Sequence, residues 1–96
     1  MPGFPGGEEA LLKYISDHIE YPTMAVERGI EGRVTVRFVV NKDGYVQDVT
    51  VIRGVHELLD KEAVRVIQSL PRWNPGKQNG VAVAVYYNVP VNFTLQ

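Results

Sequence analysis

From Val81 to Leu95 an apolar or aromatic side chain recurs at every second position: Val81, Val83, Val85, Tyr87, Val89, Val91, Phe93 and Leu95. That period of two predicts one long half-buried strand. A second alternation, Val34, Val36, Phe38 and Val40 against Arg33, Thr35, Arg37 and Val39, predicts a strand opening at Gly32. Asn41-Lys42-Asp43-Gly44 follows as a turn whose glycine accepts positive φ, and Tyr45 to Arg53 completes a hairpin. Val46 and Val49 stand three apart instead of two, so a bulge or phase change is expected there.

Elsewhere the spacing is helical. Leu11, Leu12, Ile15 and Ile19 form an apolar stripe behind Glu8 and Glu9, whose charges favour a helix start. The helix should end before Tyr21-Pro22, because a residue preceding proline avoids the α region. Met24 to Arg28 reads as a helical turn closed by Gly29. Ala63, Val66, Ile67 and Leu70 mark another helix, with Asp60 as its N-cap and Lys61, Glu62, Arg65 and Gln68 on its outer face. Pro71 stops it, and Trp73 in the following turn reads as a core plug. Residues 1–7, MPGFPGG, read as a linker remnant in which only Phe4 would dock, ahead of a domain spanning 8–96. The order helix, strand, strand, helix, strand predicts an α+β fold: a small antiparallel three-stranded sheet with helices packed on it.

Pro90 lies inside the most strand-like segment. A proline has no N–H, so central strands exclude it. Along a strand, backbone N–H and C=O groups of alternate residues point to opposite lateral sides. If the position of Pro90 faces no neighbour, so do Ala82, Ala84, Tyr86 and Asn88, and the last strand is an open edge. The odd-numbered residues, Val81 included, then pair inward and set their side chains under the helix. Ala82 to Asn88 carries no charge, and its alanines admit another backbone closely. Such an edge is a site for β-augmentation, or it is simply a strand end protected by its proline.

Composition narrows the chemistry. A chain of 96 residues is one small domain, and 45% hydrophobic with 22% charged residues is ordinary for a globular fold. Net charge is −1 and the cations are scattered, which excludes the basic footprint of a nucleic-acid binder. With no cysteine there are neither disulfides nor thiolate zinc sites. No apolar run approaches the roughly 18 residues needed to cross a bilayer. His18 and His56 occur singly, without an HxH or HExxH spacing, and His56 reads as solvated. No GxSxG or phosphate loop occurs. The chain reads as a non-enzyme with no catalytic residue, metal or cofactor.

One ordered set of residues is distinctive: Tyr21-Pro22, Gly29-Ile30-Glu31-Gly32-Arg33-Val34, Asp43-Gly44, Ala63, Trp73, Pro75-Gly76-Lys77 and Val89-Pro90-Val91-Asn92-Phe93. From Tyr21 onward the chain resembles the C-terminal domain family of TonB, and Phe4-Pro5-Gly6-Gly7-Glu8 resembles a common variant of it. The resemblance implies a periplasmic domain of an energy transducer anchored to the inner membrane and driven by an ExbB–ExbD motor. Such a domain grips the TonB box of outer-membrane receptors by adding it as a strand beside its last β-strand. Carried over by position, the partner-binding residues are Ala82, Val83, Ala84, Val85, Tyr86, Tyr87, Asn88, Val89 and Pro90, joined by His18, Ile19 and Glu20. The enteric pattern has glutamines where this chain has His18 and Glu20. An alternative reading is a TonB-like sensor or regulatory domain of a membrane signalling or peptidase protein. A homodimer formed through the same edge is the third.

Overall fold

A computed structural model describes residues 3–95. Helix α1 spans Gly7–His18, with Glu8 and Glu9 in its first turn and Leu11 and Ile15 buried beneath it. Ile19 leaves it in extended backbone, two residues before Tyr21-Pro22. A short helix α2, Thr23–Glu27, buries Ala25 and is closed by Gly29 at φ 66°. Ahead of α1, Phe4 docks in the core, and Gly3 exchanges both backbone hydrogen bonds with Asn74 at 2.8 and 2.9 Å. The first two residues of the expected linker lie outside the described residues.

Strand β1 is Gly32–Val40 and β2 is Val46–Arg53. In the turn between them the Asn41 side-chain oxygen accepts the Asp43 and Tyr45 N–H groups, each at 3.0 Å. Gly44 takes φ 90° there. A Cβ on it would stand 2.1 Å from the Trp73 carbonyl oxygen, so only glycine fits. The broken phase of β2 is a bulge: Arg37 pairs with Thr50 and Val39 with Gln47, leaving one extra residue on β2. Asp48 sits at this point with φ 53°. A second shift lies between Thr35 and Val36.

Helix α3 spans Glu57–Gln68. Its N-cap is His56, whose Nδ1 accepts the Leu58 N–H at 3.1 Å. This corrects two expectations, an Asp60 cap and a solvated His56. Asp60 lies one turn in, and its carboxylate accepts the Val55 N–H at 3.0 Å, which ties down the loop ahead of the helix. Glu62 is also displaced from its expected place: it is 9% exposed, not on an outer face.

After α3, Trp73 is 2% exposed and meets Phe4, Phe38 and Tyr87 edge-on at 5.1–5.6 Å. The expected single last strand is divided. Strands β3, Gly76–Gln78, and β4, Val81–Val83, form a separate two-stranded hairpin, and β5, Val85–Phe93, joins the main sheet after a break at Ala84. Val81 is 64% exposed, contrary to its expected place under a helix.

The main sheet is antiparallel with order β2-β1-β5, so the fold is α+β with a three-stranded sheet. Its inner face carries Val34, Val36, Phe38 and Val40 of β1 and Val89, Val91 and Phe93 of β5. Leu11 and Ile15 of α1 and Leu59, Ala63, Val66 and Ile67 of α3 close over that face.

Candidate functional site

The site is assembled along β5. This strand pairs nine consecutive residues with β1, from Val85 opposite Val40 to Phe93 opposite Gly32, with no register shift. Among the described residues no strand pairs with its other side. Pro90 stands opposite Thr35. Lacking an N–H, it cannot form the doubly bonded type of antiparallel pair, so the bonded pairs fall on its odd-numbered neighbours. The backbone groups of Tyr86, Asn88 and Asn92 then face outward. Side chains follow the same alternation: Val89, Val91 and Phe93 are buried, whereas Tyr86, Asn88, Pro90 and Asn92 are exposed.

The site residues inferred from sequence are only partly brought together. Val85 to Pro90 lie in β5, whereas Ala82 and Val83 belong to the β3–β4 hairpin, paired with Lys77 and Gly76. Ala84 is the exposed break between the two. Tyr86 is 73% exposed and lies over Arg37, while Tyr87 packs inward against Trp73 and Phe38.

His18, Ile19 and Glu20 leave the end of α1 beside the far end of β5. Ile19, with Leu12, Ile15 and Ser16, forms one wall of a cleft of about 260 Å³ whose other wall is Pro90 and Asn92. His18 is folded back: its ring stacks on Tyr14 at 3.9 Å and its Nδ1 lies 2.8 Å from the Tyr14 carbonyl. Glu20 offers its main chain inward, donating its N–H to Glu62 Oε2 at 2.5 Å.

Glu62 and Arg65 hold the frame of this candidate site, and sequence reasoning missed them. Arg65 forks both Glu62 oxygens at 2.7 Å and also donates to the His18 carbonyl at 2.9 Å. One ion pair on α3 therefore holds two backbone groups of the segment that frames the cleft. Burial pushes the Glu62 carboxyl up, but the Arg65 hydrogen bonds, the Glu20 N–H and the Arg65 charge outweigh it and leave the pKa below its ordinary value. Pinning of a backbone by a side chain leaves no periodic mark; only the i,i+3 spacing of Glu62 and Arg65 was visible.

Among the described residues no group of three or more His, Cys, Asp or Glu side chains is placed to hold a metal ion. No helix among them is long and apolar enough to cross a membrane. The surroundings of β5 offer main-chain donors and acceptors beside an apolar cleft, which is chemistry for holding an extended polypeptide.

Fold and edge together define a small α+β domain whose terminal strand lies open along one side of an antiparallel sheet. Residues 17–95 match the family described as Gram-negative bacterial TonB protein C-terminal, and the chain belongs to it. It is 34% identical over 97 residues to Protein TonB of Helicobacter pylori, covering 96% of this chain and 33% of that one. It is 39% identical over 64 residues to Protein TonB of Pseudomonas aeruginosa, covering 67% of this chain and 19% of the relative. The chain thus spans a third or less of the length of these curated relatives. The solution structure of residues 194–285 of Helicobacter pylori TonB superposes with TM-score 0.68 at 30% identity, covering 90% of both chains. That of the Pseudomonas aeruginosa TonB C-terminal domain gives 0.66 at 33% identity, covering 80% of this chain and 78% of that one.

Proposed function

We propose that this chain is the periplasmic, receptor-gripping domain of a TonB-like energy transducer. In this reading it takes the TonB box of an outer-membrane receptor as an added strand along β5. It then passes on a pull that originates in the inner-membrane proton gradient, through an ExbB–ExbD motor reached by other parts of the protein. The observation that carries the reading is the free side of β5: nine residues in unbroken register, without a charged side chain, and with no strand beyond them among the described residues. Family membership points the same way.

The edge suits a transient grip. A strand pulled along its length loads its hydrogen bonds in shear, so several must fail together. Each contributes about 0.5–1.5 kcal/mol net in water, enough for a row to hold and yet release. Pro90 removes one donor from that row and keeps its carbonyl.

The test is an NMR titration of this chain with N-terminal peptides of outer-membrane receptors. Tyr86 and Asn88 amides should shift and become protected from hydrogen exchange on binding. Shifts limited to the loops, with those two amides unmoved, would remove the reading.

A further inference from the structure

We infer that Gly3 and Phe4 form a clasp through which a pull enters the folded body and reaches β5 without loading α1, an inference that rests on the force-transmitting reading above. The Phe4-Pro5-Gly6-Gly7 motif has no other part in that reading. In the Helicobacter pylori relative the matched region is residues 194–285, so most of that protein precedes it. With the same order here, the pull arrives from the side of Gly3.

Two routes into the domain part at Phe4. The first is direct. Gly3 is bonded twice to the Asn74 backbone, its N–H donating at 2.9 Å and its carbonyl accepting at 2.8 Å. Phe4 is 8% exposed and meets Trp73 edge-on at 5.3 Å. Trp73 in turn meets Tyr87 of β5 at 5.1 Å and Phe38 of β1 at 5.6 Å. Its backbone N–H donates to the Gly44 carbonyl at 2.7 Å, beside the turn that ends β1. Load taken by the clasp is therefore handed to the two longest-paired strands of the sheet, β1 and β5.

The second route runs on along the chain into α1. Gly6 and Gly7 turn the backbone there at φ 89° and 86°, and the Gly7 N–H donates to the Phe4 carbonyl at 2.8 Å. A pull delivered past this turn would lift α1 from its first residues. The helix is held by Leu11 and Ile15 in the core and by the Tyr14 hydroxyl, which donates to the Ser69 carbonyl at 2.8 Å. Leu12, Ile15, Ser16 and Ile19 form the wall of the cleft that faces Pro90 and Asn92. Lifting α1 therefore opens the flank of the gripping strand. The clasp stands ahead of this route, so α1 is loaded only after the clasp fails.

The experiment stretches the chain in optical tweezers between tags fused to its two ends. The unmodified chain should show no lengthening before the sheet itself fails. Phe4→Ala should first lengthen by about 4 nm at a lower force, as the segment from Gly3 to Ile19 is drawn out. Gly3→Pro, which deletes one clasp bond and alters no core side chain, should show the same step at an intermediate force. A disulfide between Gly3→Cys and Asn74→Cys suits the short Cα separation of a doubly bonded pair, and a Cβ on Gly3 meets nothing within 4 Å. The parent chain has no cysteine, so this cross-link is unique. Added to Phe4→Ala, it should remove the early step when oxidised and return it when reduced. The packing lost at Phe4 is the same in both forms, so a purely structural role of Phe4 would leave the step in both.

An early step in the unmodified chain overturns the inference. So does one in Phe4→Ala that survives the cross-link, or a Phe4→Ala trace identical to the unmodified one. If Phe4→Ala does not fold, a Gly3→Pro trace identical to the unmodified one overturns it instead. No peptide is bound in these traces, so failure of the strand-pairing reading is a separate result, seen as unmoved Tyr86 and Asn88 amides in the titration.

Discussion

The sheet has two outer strands, and they end it in opposite ways. β2 meets β1 through two register shifts, places Asp48 in left-handed backbone, and carries charged Asp48 and Arg53. β5 meets β1 in unbroken register for nine residues and carries no charge. Bulges and charges interrupt the row of donors and acceptors that another strand would need, so the β2 edge is poorly suited to pairing although no strand among the described residues covers it. The β5 edge keeps its row intact, apart from Pro90. Within one sheet the two outer edges therefore differ in regularity, and the proposed site lies on the regular one.

The sharpest way to break this contrast is a proline scan of β5. Val89→Pro should abolish cooperative thermal unfolding, because it removes an inward ladder bond and a side chain that is 2% exposed. Asn88→Pro should melt close to the unmodified chain, since its N–H faces outward, yet bind receptor peptide at least about tenfold more weakly through a lost bond and a protruding ring. If Asn88→Pro unfolds while Val89→Pro does not, the assignment of inward and outward residues is reversed.

Removing the support beneath β5 comes next. Trp73→Ala should cost about 3–5 kcal/mol in urea unfolding, because the cavity opens against Phe38 and Tyr87, a pair linking β1 to β5.

Glu62→Gln should cost about 1–2 kcal/mol, as hydrogen bonds to a charged group are lost. The folded-state pKa of Glu62 is lowered, so its contribution is complete above the ordinary carboxylate pKa and disappears as pH falls through the lowered value. Denaturant midpoints measured down to acid pH should therefore converge for Glu62→Gln and the parent chain. A constant gap would show that the ionised form contributes nothing particular.

Smallest is Asp48→Gly on the β2 edge. Relief of a left-handed residue, less the added freedom of glycine, should stabilise the chain by about 0.5 kcal/mol. Peptide binding at β5 should not change.

Much of this was legible in the chain itself. Alternation found β1 and the odd and even faces of β5, and the three-residue step from Val46 to Val49 located the bulge. Pro90 pointed to the free side, because a missing donor is a local property of one residue. Other features depended on geometry that no spacing encodes. His56 caps α3 because its ring reaches the Leu58 N–H, although Asp60 is the more usual capping type. The last strand divides at Ala84 because β4 finds a partner in β3, while the alternation of valines runs through the break unchanged. Glu62 looked like a solvated helix residue until the segment from His18 to Glu20 was folded onto it.

The sequence by itself determined α1, α3, β1, the bulged β2, the two faces of β5 and the presence of an edge without one donor, since these follow from side-chain period and from the covalent form of proline. Only the tertiary structure decided which residues of that edge remain unpaired, where α1 opens a cleft beside it, and which arginines engage its side chains. Those depend on contacts between residues as far apart as Glu20 and Glu62 or Arg33 and Asn92, and such distances are set by the packing of the whole chain.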